Sequence, residues 1–436
     1  MKKTCIKLLL VIMAFSLVAL AGCSNSDNSS SSNGSKSKKQ VTITYWQYTF
    51  PAKVSEIKNL IQKFEAENPN ITVVAQDFPY DQYNQKVAAA MHAGKGPDIL
   101  NLYYGWLPQY VKQNYLQPIP KDLLTTSEIE SYFVPMIKAS KINGKYYTLP
   151  IAVRSLALFY NKDMFKKAGL DPNSPPKTWN ELIQDAKKMT KRDANGKLQQ
   201  EGFAWDVNGQ GYHAFEEVLL RQWGIEPFSK DGKKVQWNTS HGLNAFTYWI
   251  NMEKKEKVGE PNFLTDYNTA FKAGKAGIII DGSFDIAAIR DAAKFNWGVT
   301  TLPVREVGGL ESNFGSYWTN GIAKGVTGEK LAASDKFIKF LISAETQKEW
   351  LKNVGEIPAA VSFANDKTIS NDPIYGPFVQ GLKNSHATFF VDEAKERDSM
   401  SSQIDKILLN NESIDKTFNS LIKEQQQIRD DYFQNN

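Results

Sequence analysis

The sequence predicts an α/β protein with two domains, and two observations lead to this class. Between Val41 and Tyr103, segments with strand-like alternation and segments with helical periodicity follow one another in turn. A second series of strands and helices follows a proline-rich stretch and continues to Thr301. The chain of 436 residues is long enough for two domains with separate cores. Such alternation favours a parallel sheet with ligand sites at the carboxyl ends of its strands.

The first domain begins with five predicted elements in the order β-α-β-α-β. Residues Val41 to Trp46 alternate in β-prone residues, and apolar residues from Val54 to Phe64 recur at helical spacing until a proline ends the helix. A strand from Ile71 to Phe78 and a helix from Tyr80 to His92 follow. The third strand, Asp98 to Tyr103, comes after a glycine-rich turn.

The rest of the chain supplies the second domain and the terminal helices. The segment from Lys145 to Tyr160 is rich in aromatic and β-branched residues, which favours strands. A helix is predicted to begin near Thr178-Trp179. Residues Ala332 to Leu351 form one amphipathic helical pattern, and further helices are predicted from Ser401 to Tyr432.

The first 22 residues have the layout of a signal peptide, because lysines precede an apolar run from Leu8 to Ala21. That run is too short for a permanent membrane span. It closes on Leu20-Ala21-Gly22-Cys23, which resembles the lipobox of bacterial lipoproteins. We therefore expect lipidation of Cys23, with an ordinary signal peptide as the alternative. Residues 23–39, mostly Ser, Asn, Gly and Lys, predict a disordered tether.

Composition excludes several classes of function. The two cysteines lie at positions 5 and 23, so the folded body predicts no disulfide and no cysteine-based metal or redox site. The formal net charge of +5 falls to +2 once the three leader lysines are removed, which gives no reason to expect nucleic acid binding. The histidines, His92, His213, His241 and His386, are scattered, and no cofactor is expected.

Ten short segments stand in an order that is typical of one protein family. They are Tyr45-Trp46, Phe64-Glu65-Ala66-Glu67-Asn68-Pro69, Gly96-Pro97-Asp98-Ile99, Leu149-Pro150-Ile151-Ala152-Val153, Leu158-Phe159-Tyr160-Asn161-Lys162-Asp163, Pro176-Lys177-Thr178-Trp179, Phe271-Lys272-Ala273-Gly274-Lys275-Ala276-Gly277, Asp281-Gly282-Ser283, Gly298-Val299-Thr300 and Gly355-Glu356-Ile357-Pro358. The chain resembles the extracellular solute-binding protein family 1, the sugar-binding class that includes maltose-binding protein.

The resemblance implies a two-lobed periplasmic-binding-protein-like fold with a hinge and an interlobe cleft. It implies one lobe from residues 40–147 plus 303–352 and a second from residues 148–302 plus 353–436. The implied function is that of the extracellular substrate-binding component of an ABC importer, not an enzyme. It would bind a carbohydrate, an oligosaccharide by preference, and deliver it to the permease subunits. We expect a monomer, secreted and held at the outer face of the cell membrane only by its lipid.

Carbohydrate sites combine aromatic faces with fixed hydrogen-bonding groups, and several residues of this chain fit that need. Trp46, Tyr48, Tyr104 and Trp106 lie at or just past predicted strand ends. Packing in the core is the alternative for each aromatic residue taken singly. Tyr104 and Trp106 flank Gly105, which allows close approach of a ligand, at a place where the resemblance implies contacts.

Arg154 is the most informative candidate, because it stands where the resemblance implies a sugar-contacting glutamate. A guanidinium can hold vicinal hydroxyls, or a carboxylate or phosphate in a bidentate manner. A neutral oligosaccharide is expected, with an acidic sugar as an open alternative. The resemblance implies further contacts at Gln210, Tyr212, Asp281, Phe284, Trp318, Asn320 and Glu356.

Two rival functions remain open from the sequence. Aromatic residues and carboxylates also suit a surface-anchored glycan hydrolase or lyase, which saccharide cleavage would reveal. The same fold could instead bind a non-sugar solute such as a polyamine, iron or a phosphate ester. A polyamine site would need a ring of acidic groups, and an iron site would need paired tyrosines.

Overall fold

A computed structural model describes residues 39–204, 210–261 and 263–434. Residues Gln40 to Asn436 form one compact unit. The predicted signal peptide, Cys23 and the tether up to residue 38 lie outside the described residues. Within the described ranges, none of the helices combines the length and the apolar character that crossing a bilayer requires.

The N-terminal part alternates strands and helices as predicted, beginning with β-α-β-α-β. Its elements are β1 (Val41–Tyr48), α1 (Pro51–Glu67), β2 (Ile71–Phe78), α2 (Tyr80–His92), β3 (Ile99–Tyr103), α3 (Leu107–Lys112), α4 (Thr126–Tyr132), β4 (Lys141–Ile142), β5 (Lys145–Tyr146) and β6 (Thr148–Pro150). Pro51 occupies the first turn of α1, where a missing backbone N–H costs no helical hydrogen bond.

The middle of the chain forms a second group of strands and helices. They are β7 (Ala152–Asn161), α5 (Lys162–Lys167), α6 (Trp179–Met189), β8 (Lys191–Arg192), β9 (Leu198–Phe203), α7 (Gln210–His213), α8 (Leu220–Gln222), α9 (Ser240–Lys254), α10 (Tyr267–Lys272), β10 (Ala276–Gly282), α11 (Ile286–Ala292), β11 (Trp297–Thr300) and β12 (Asn313–Ser316). Helix α6 starts where predicted, because Thr178 and Glu181 form a reciprocal capping box.

The C-terminal part is mainly helical. It contains β13 (Trp318–Ile322), α12 (Gly328–Leu341), α13 (Ala344–Val354), β14 (Ile357–Pro358), α14 (Val361–Ala364), α15 (Lys367–Ser370), α16 (Gly376–Leu382), β15 (Ser385–His386), α17 (Glu393–Leu408) and α18 (Ile414–Gln434). The single helix predicted from Ala332 to Leu351 is wrong, since two helices occupy that range. The Ser343 side chain accepts a hydrogen bond from the Thr346 backbone N–H and so caps a new helix there.

Two large sheets organise the described residues, and β4 and β5 form a separate two-stranded sheet. The first has the strand order β2-β1-β3-β13-β6, and β1 runs parallel to both β2 and β3. The second has the order β15-β12-β7-β10-β9-β8, and β11 and β14 also pair with β7. Strand β7 is antiparallel to β10, β11, β12 and β14. The prediction of a parallel sheet therefore holds for β1, β2 and β3 and for the pairs β9–β10 and β12–β15, and it fails around β7.

The chain passes between the two sheets at three places that lie close together. Ile151 joins β6 of the first sheet to β7 of the second, and Tyr317 joins β12 to β13. The third passage lies between α13, which packs on α1, and β14, which pairs with β7. Strands β6 and β12 thus belong to the sheet opposite to the one that the implied lobe ranges give them. The lobe ranges otherwise stay predictions.

Candidate functional site

A cavity of about 260 Å³ lies beside the three passages between the sheets. Tyr48 and Tyr103 are the last residues of the parallel strands β1 and β3, so the cavity opens at the carboxyl edge of the first sheet. The side chains around it come from every third of the chain. They are Tyr48, Phe50, Tyr80, Tyr103, Arg154, Gln210, Tyr212, His213, Phe284, Phe314, Ser316, Trp318, Glu393 and Arg397.

Aromatic rings form the wall on the side of the first sheet. The rings of Tyr48 and Trp318 are stacked with centroids 3.7 Å apart and planes 19° apart. Tyr80 lies across both rings, with its centroid 6.1 Å from each. Trp106 supports this wall from behind, because it contacts Tyr80 and Trp318 but is itself only 5 % exposed. The wall is therefore a preformed set of flat apolar faces.

Arg154 and two buried partners form a charged cluster beside this wall. The Arg154 Nε donates to Glu356 Oε1, and its Nη2 donates to the Tyr48 hydroxyl at 3.4 Å. Lys53 Nζ lies 2.9 Å from the same Oε1 of Glu356. The Arg154 guanidinium also lies over the Phe284 ring, 4.4 Å from its centroid. Two cations consequently share one carboxylate next to the cavity.

Burial and mutual attraction set the charges of this cluster. Burial alone would raise the pKa of Glu356, but attraction to Arg154 and Lys53 outweighs burial and lowers that pKa to about 2. Burial lowers the pKa of Lys53 to about 7, with help from repulsion by Arg154 and against attraction to Glu356. The pKa values of the two ion-pair partners shift by different amounts. Glu356 is attracted by two cations, whereas Lys53 shares its only carboxylate with Arg154. Glu356 is therefore ionised at neutral pH, whereas Lys53 is close to its titration midpoint.

The opposite wall comes from α7, the turn after β10 and β12. The His213 ring is stacked on Phe314, with centroids 3.9 Å apart and planes 6° apart. Within the described part of the chain, His213 Nδ1 is buried without a hydrogen-bond partner. Burial holds the pKa of His213 well below its usual value, so the ring is neutral. His213 therefore lines the cavity as a neutral ring.

A second ion pair completes the polar side of the cavity. Glu393 is the first residue of α17, and its Oε1 lies 2.9 Å from Arg397 Nη1 one turn later. Trp106 Nε1 donates to Glu393 Oε2 at 3.2 Å, and the Tyr212 hydroxyl donates to Glu393 Oε1 at 3.4 Å. Burial raises the pKa of Glu393, although Arg397 and these donors oppose the shift. Glu393 thus joins α17 to both walls.

The structure brings half of the sequence candidates to the cavity and leaves the other half behind it. The candidates that line the cavity are Tyr48, Arg154, Gln210, Tyr212, Phe284 and Trp318. Those that do not are Trp46, Tyr104, Trp106, Asp281, Asn320 and Glu356. Ligand contact stays a prediction for both groups, and in this structure the second group does not line the cavity.

The candidates that do not line the cavity have partners inside the protein. Trp46 lies two residues before the end of β1 and packs on Phe78, with centroids 4.8 Å apart. Tyr104 is stacked on Tyr317 at 4.7 Å. Asn320 is fully buried and accepts a hydrogen bond from the Tyr45 hydroxyl at 3.0 Å.

Asp281 and Glu356 likewise have hydrogen-bond partners inside the protein. The Asn268 side-chain amide donates to Asp281 at 2.8 Å, and Asp281 is fully buried. Glu356 accepts from Trp350 Nε1 at 2.8 Å in addition to its two cations. Both carboxyl groups are therefore held by partners inside the protein, and Glu356 in turn fixes Arg154, which lines the cavity.

Several lining residues were missed by sequence reasoning. The most polar of them, Glu393 and Arg397, come from α17, which lies far along the chain from the other walls. Their spacing of four residues after the capping Asp392 is an ordinary surface pattern, so it gave no signal. Tyr80 begins α2 two residues after the end of β2, and its position past a strand end could have identified it.

The described residues contain no group of three or more His, Cys, Asp or Glu side chains that could hold a metal ion. The arrangement suits recognition of a polar ring compound. Flat aromatic faces accept the apolar face of such a ring, while Arg154, His213, Glu393 and Arg397 offer donors and acceptors at its edge.

Comparison with known proteins agrees with the fold. The chain is 26 % identical over 359 residues to the maltotriose-binding protein of Pyrococcus abyssi, covering 79 % of this chain and 72 % of that protein. It is 28 % identical over 341 residues to the sn-glycerol-3-phosphate-binding periplasmic protein of Escherichia coli K12, covering 73 % and 74 % respectively.

Solved structures extend the likeness in fold. The GacH receptor of Streptomyces glaucescens, studied with acarbose, superposes with a TM-score of 0.77 at 21 % identity, covering 91 % of this chain and 100 % of that chain. An ABC transporter solute-binding protein of Thermotoga lettingae bound to tagatose gives 0.77 at 22 % identity, covering 89 % and 100 %. A family profile described as bacterial extracellular solute-binding protein matches residues 59–377, well over half of the chain. The chain belongs to this family of bacterial extracellular solute-binding proteins.

Proposed function

We propose that the protein is the substrate-binding component of an ABC importer and that it binds a carbohydrate in the cavity beside Arg154. The observation that carries this proposal is the aromatic wall of Tyr48, Trp318 and the more exposed Tyr80, which lines a cavity with charged and polar edges. Sugar rings have apolar faces and hydroxyls in the ring plane, so they need this combination of groups. A relative named for maltotriose binding supports the same class of ligand.

The cavity volume indicates the size of the bound part. The volume of about 260 Å³ lies just below the range of about 300–1,000 Å³ that is usual for small-molecule sites. That space accepts one hexose ring, and a longer oligosaccharide would require separation of the walls. We infer that one terminal sugar ring is recognised in the closed cavity.

Binding by this protein would couple to transport through a change of shape. A solute that touches both walls binds a closed arrangement better than an open one, so it shifts the population toward the closed form. The permease subunits would then recognise that form. We further propose that the exported chain is a monomer anchored through a lipid on Cys23, which places it beside the permease.

A saccharide panel tests the carbohydrate proposal. Thermal unfolding of the purified protein with mono-, di- and trisaccharides should give a rise in Tm for at least one sugar. A ligand at a hundred times its Kd stabilises the folded state by about 2.7 kcal/mol. Calorimetry would then give the affinity, and chromatography should recover the saccharide intact. Cleavage of the sugar would contradict the proposal and favour the hydrolase alternative.

A phosphate ester is a second candidate ligand. The relatives named for sn-glycerol-3-phosphate match this chain over 73 % of its length, and Arg154 and Arg397 both face the cavity. Glycerol 3-phosphate therefore belongs in the same panel. Stabilisation by this ester without any response to sugars would indicate that the ligand is a phosphate ester.

A further inference from the structure

The charges around the cavity do not balance. Lys53 and Arg154 share the single carboxylate of Glu356, whereas Arg397 pairs with Glu393 and also with the exposed Asp398. Arg397 and Glu393 form one pair on α17, so the excess positive charge resides on the cluster of Lys53, Glu356 and Arg154. The side chains of Lys53 and Glu356 are 3 % and 4 % exposed, so water does little to neutralise that excess.

Arg154 is the member of this cluster that reaches the cavity. Among the described residues it donates from Nε to Glu356 and from Nη2 to Tyr48, which leaves Nη1 without a partner. The Phe284 ring covers one face of the guanidinium and fixes its plane. A fixed guanidinium with a free edge binds a planar or tetrahedral anion in a defined direction.

We propose that the ligand of this cavity carries an anionic group, a carboxylate or a phosphate, that pairs with the free edge of Arg154. The inference rests on the proposed binding of a carbohydrate and narrows it to an acidic sugar. An incoming anion would neutralise the excess charge that one shared carboxylate leaves unpaired. A neutral sugar would leave that excess in place.

Lys53 links this preference to pH. The groups that face its ammonium are Glu356, Arg154 and four aromatic rings, those of Tyr48, Phe50, Trp318 and Trp350. With a pKa of about 7 in the ligand-free protein, Lys53 loses its proton as the pH rises above neutrality, and the excess charge disappears. A bound anion raises this pKa. Affinity for an acidic ligand should therefore be greatest below pH 7 and fall between pH 7 and pH 9.

Matched ligand pairs test the proposal on the purified full chain. Calorimetry compares glucose with glucuronate and with glucose 6-phosphate, and galactose with galacturonate, at pH 6 and pH 9. At least one acidic sugar should bind about tenfold or more tightly than its neutral partner at pH 6. Comparison of glucuronate with the phosphate distinguishes the two anions. Equal or tighter binding of the neutral partners would overturn the inference while leaving the carbohydrate proposal intact.

Two lysine variants on α1 separate the charge effect from general damage. Lys53→Met removes the excess charge without reaching the cavity, so it should reduce the acidic preference and its dependence on pH. Lys58→Met, an exposed change on the same helix, should alter neither. If Lys53→Met does not fold, the pH profile of the unmodified protein still decides, because an acidic preference that is flat from pH 6 to pH 9 contradicts the role of Lys53. If only acidic compounds that are not sugars bind, such as glycerol 3-phosphate, the inference of an anionic ligand is supported and the proposal of carbohydrate binding is refuted.

Discussion

At the scale of single residues, the candidate site is a set of side chains with fixed orientations. Arg154 illustrates this, because Glu356, Tyr48 and Phe284 each hold a different part of its guanidinium. Its importance was predicted from the family resemblance, which implies a sugar-contacting residue at its position. The partners could not be predicted, since Glu356 is 202 residues away and only the folded chain brings it to Arg154.

Phe284 should contribute to affinity through both the ligand and Arg154. Phe284→Ala removes an aromatic face from the cavity and releases one side of the guanidinium. Ligand affinity should fall by about 1–2 kcal/mol, or roughly 5- to 30-fold. Calorimetry with the best ligand of the panel measures this loss.

Phe295→Ala is the matched control for that measurement. Phe295 is half-buried like Phe284, but it packs on Phe271 at 5.4 Å and does not line the cavity. Affinity should be unchanged in this variant. A similar loss in both variants would mean that Phe284 acts through stability alone.

At the scale of elements, local sequence signals predicted the positions of helices and strands better than they predicted which strands pair. Strand β2 and helix α2 occupy the ranges that alternation and helical spacing predicted. The division between α12 and α13 was missed because Ser343 lies within an unbroken amphipathic pattern. The antiparallel partners of β7 were also missed, since they come from four distant segments whose direction no local pattern reveals.

The contact between β9 and α6 should depend on Gly202. A Cβ at Gly202 would lie 1.8 Å from the backbone oxygen of Ala186, which cannot move independently of its helix. Gly202→Ala should therefore destabilise the protein toward the upper end of about 1–3 kcal/mol. Urea unfolding followed by circular dichroism measures the change in the free energy of unfolding.

Gly96→Ala provides a comparison with a softer obstacle. The nearest atom to its added Cβ is the Sδ of Met91 at 2.2 Å, and a flexible thioether side chain can rotate away. This variant should lose clearly less stability than Gly202→Ala. Equal losses would show that rigidity of the backbone contact is not what matters at Gly202.

At the scale of the whole molecule, the three passages between the sheets define a place where one part could rotate against the other. Ile151, Tyr317 and the segment between α13 and β14 lie next to one another beside the cavity. Across the cavity, Gln109 Nε2 of α3 donates to the Val391 carbonyl at 2.8 Å. A few such polar contacts are weak enough to break and re-form, so opening at the passages is expected.

Small-angle X-ray scattering can detect this motion. The radius of gyration should be larger without ligand than with a saturating ligand, because the ligand favours the closed arrangement. The same comparison with a non-binding sugar from the panel is the control. Identical scattering with and without the ligand would indicate a rigid body and contradict the proposed coupling to shape.

The stacking of Tyr48 on Trp318 also has an optical consequence. The sequence contains ten tryptophans, and Trp318 is the one among those described that lines the cavity. A sugar ring placed against this indole would change the polarity around it and its quenching by neighbouring side chains. The protein should thus report its own occupancy as a shift in intrinsic fluorescence, without any attached dye.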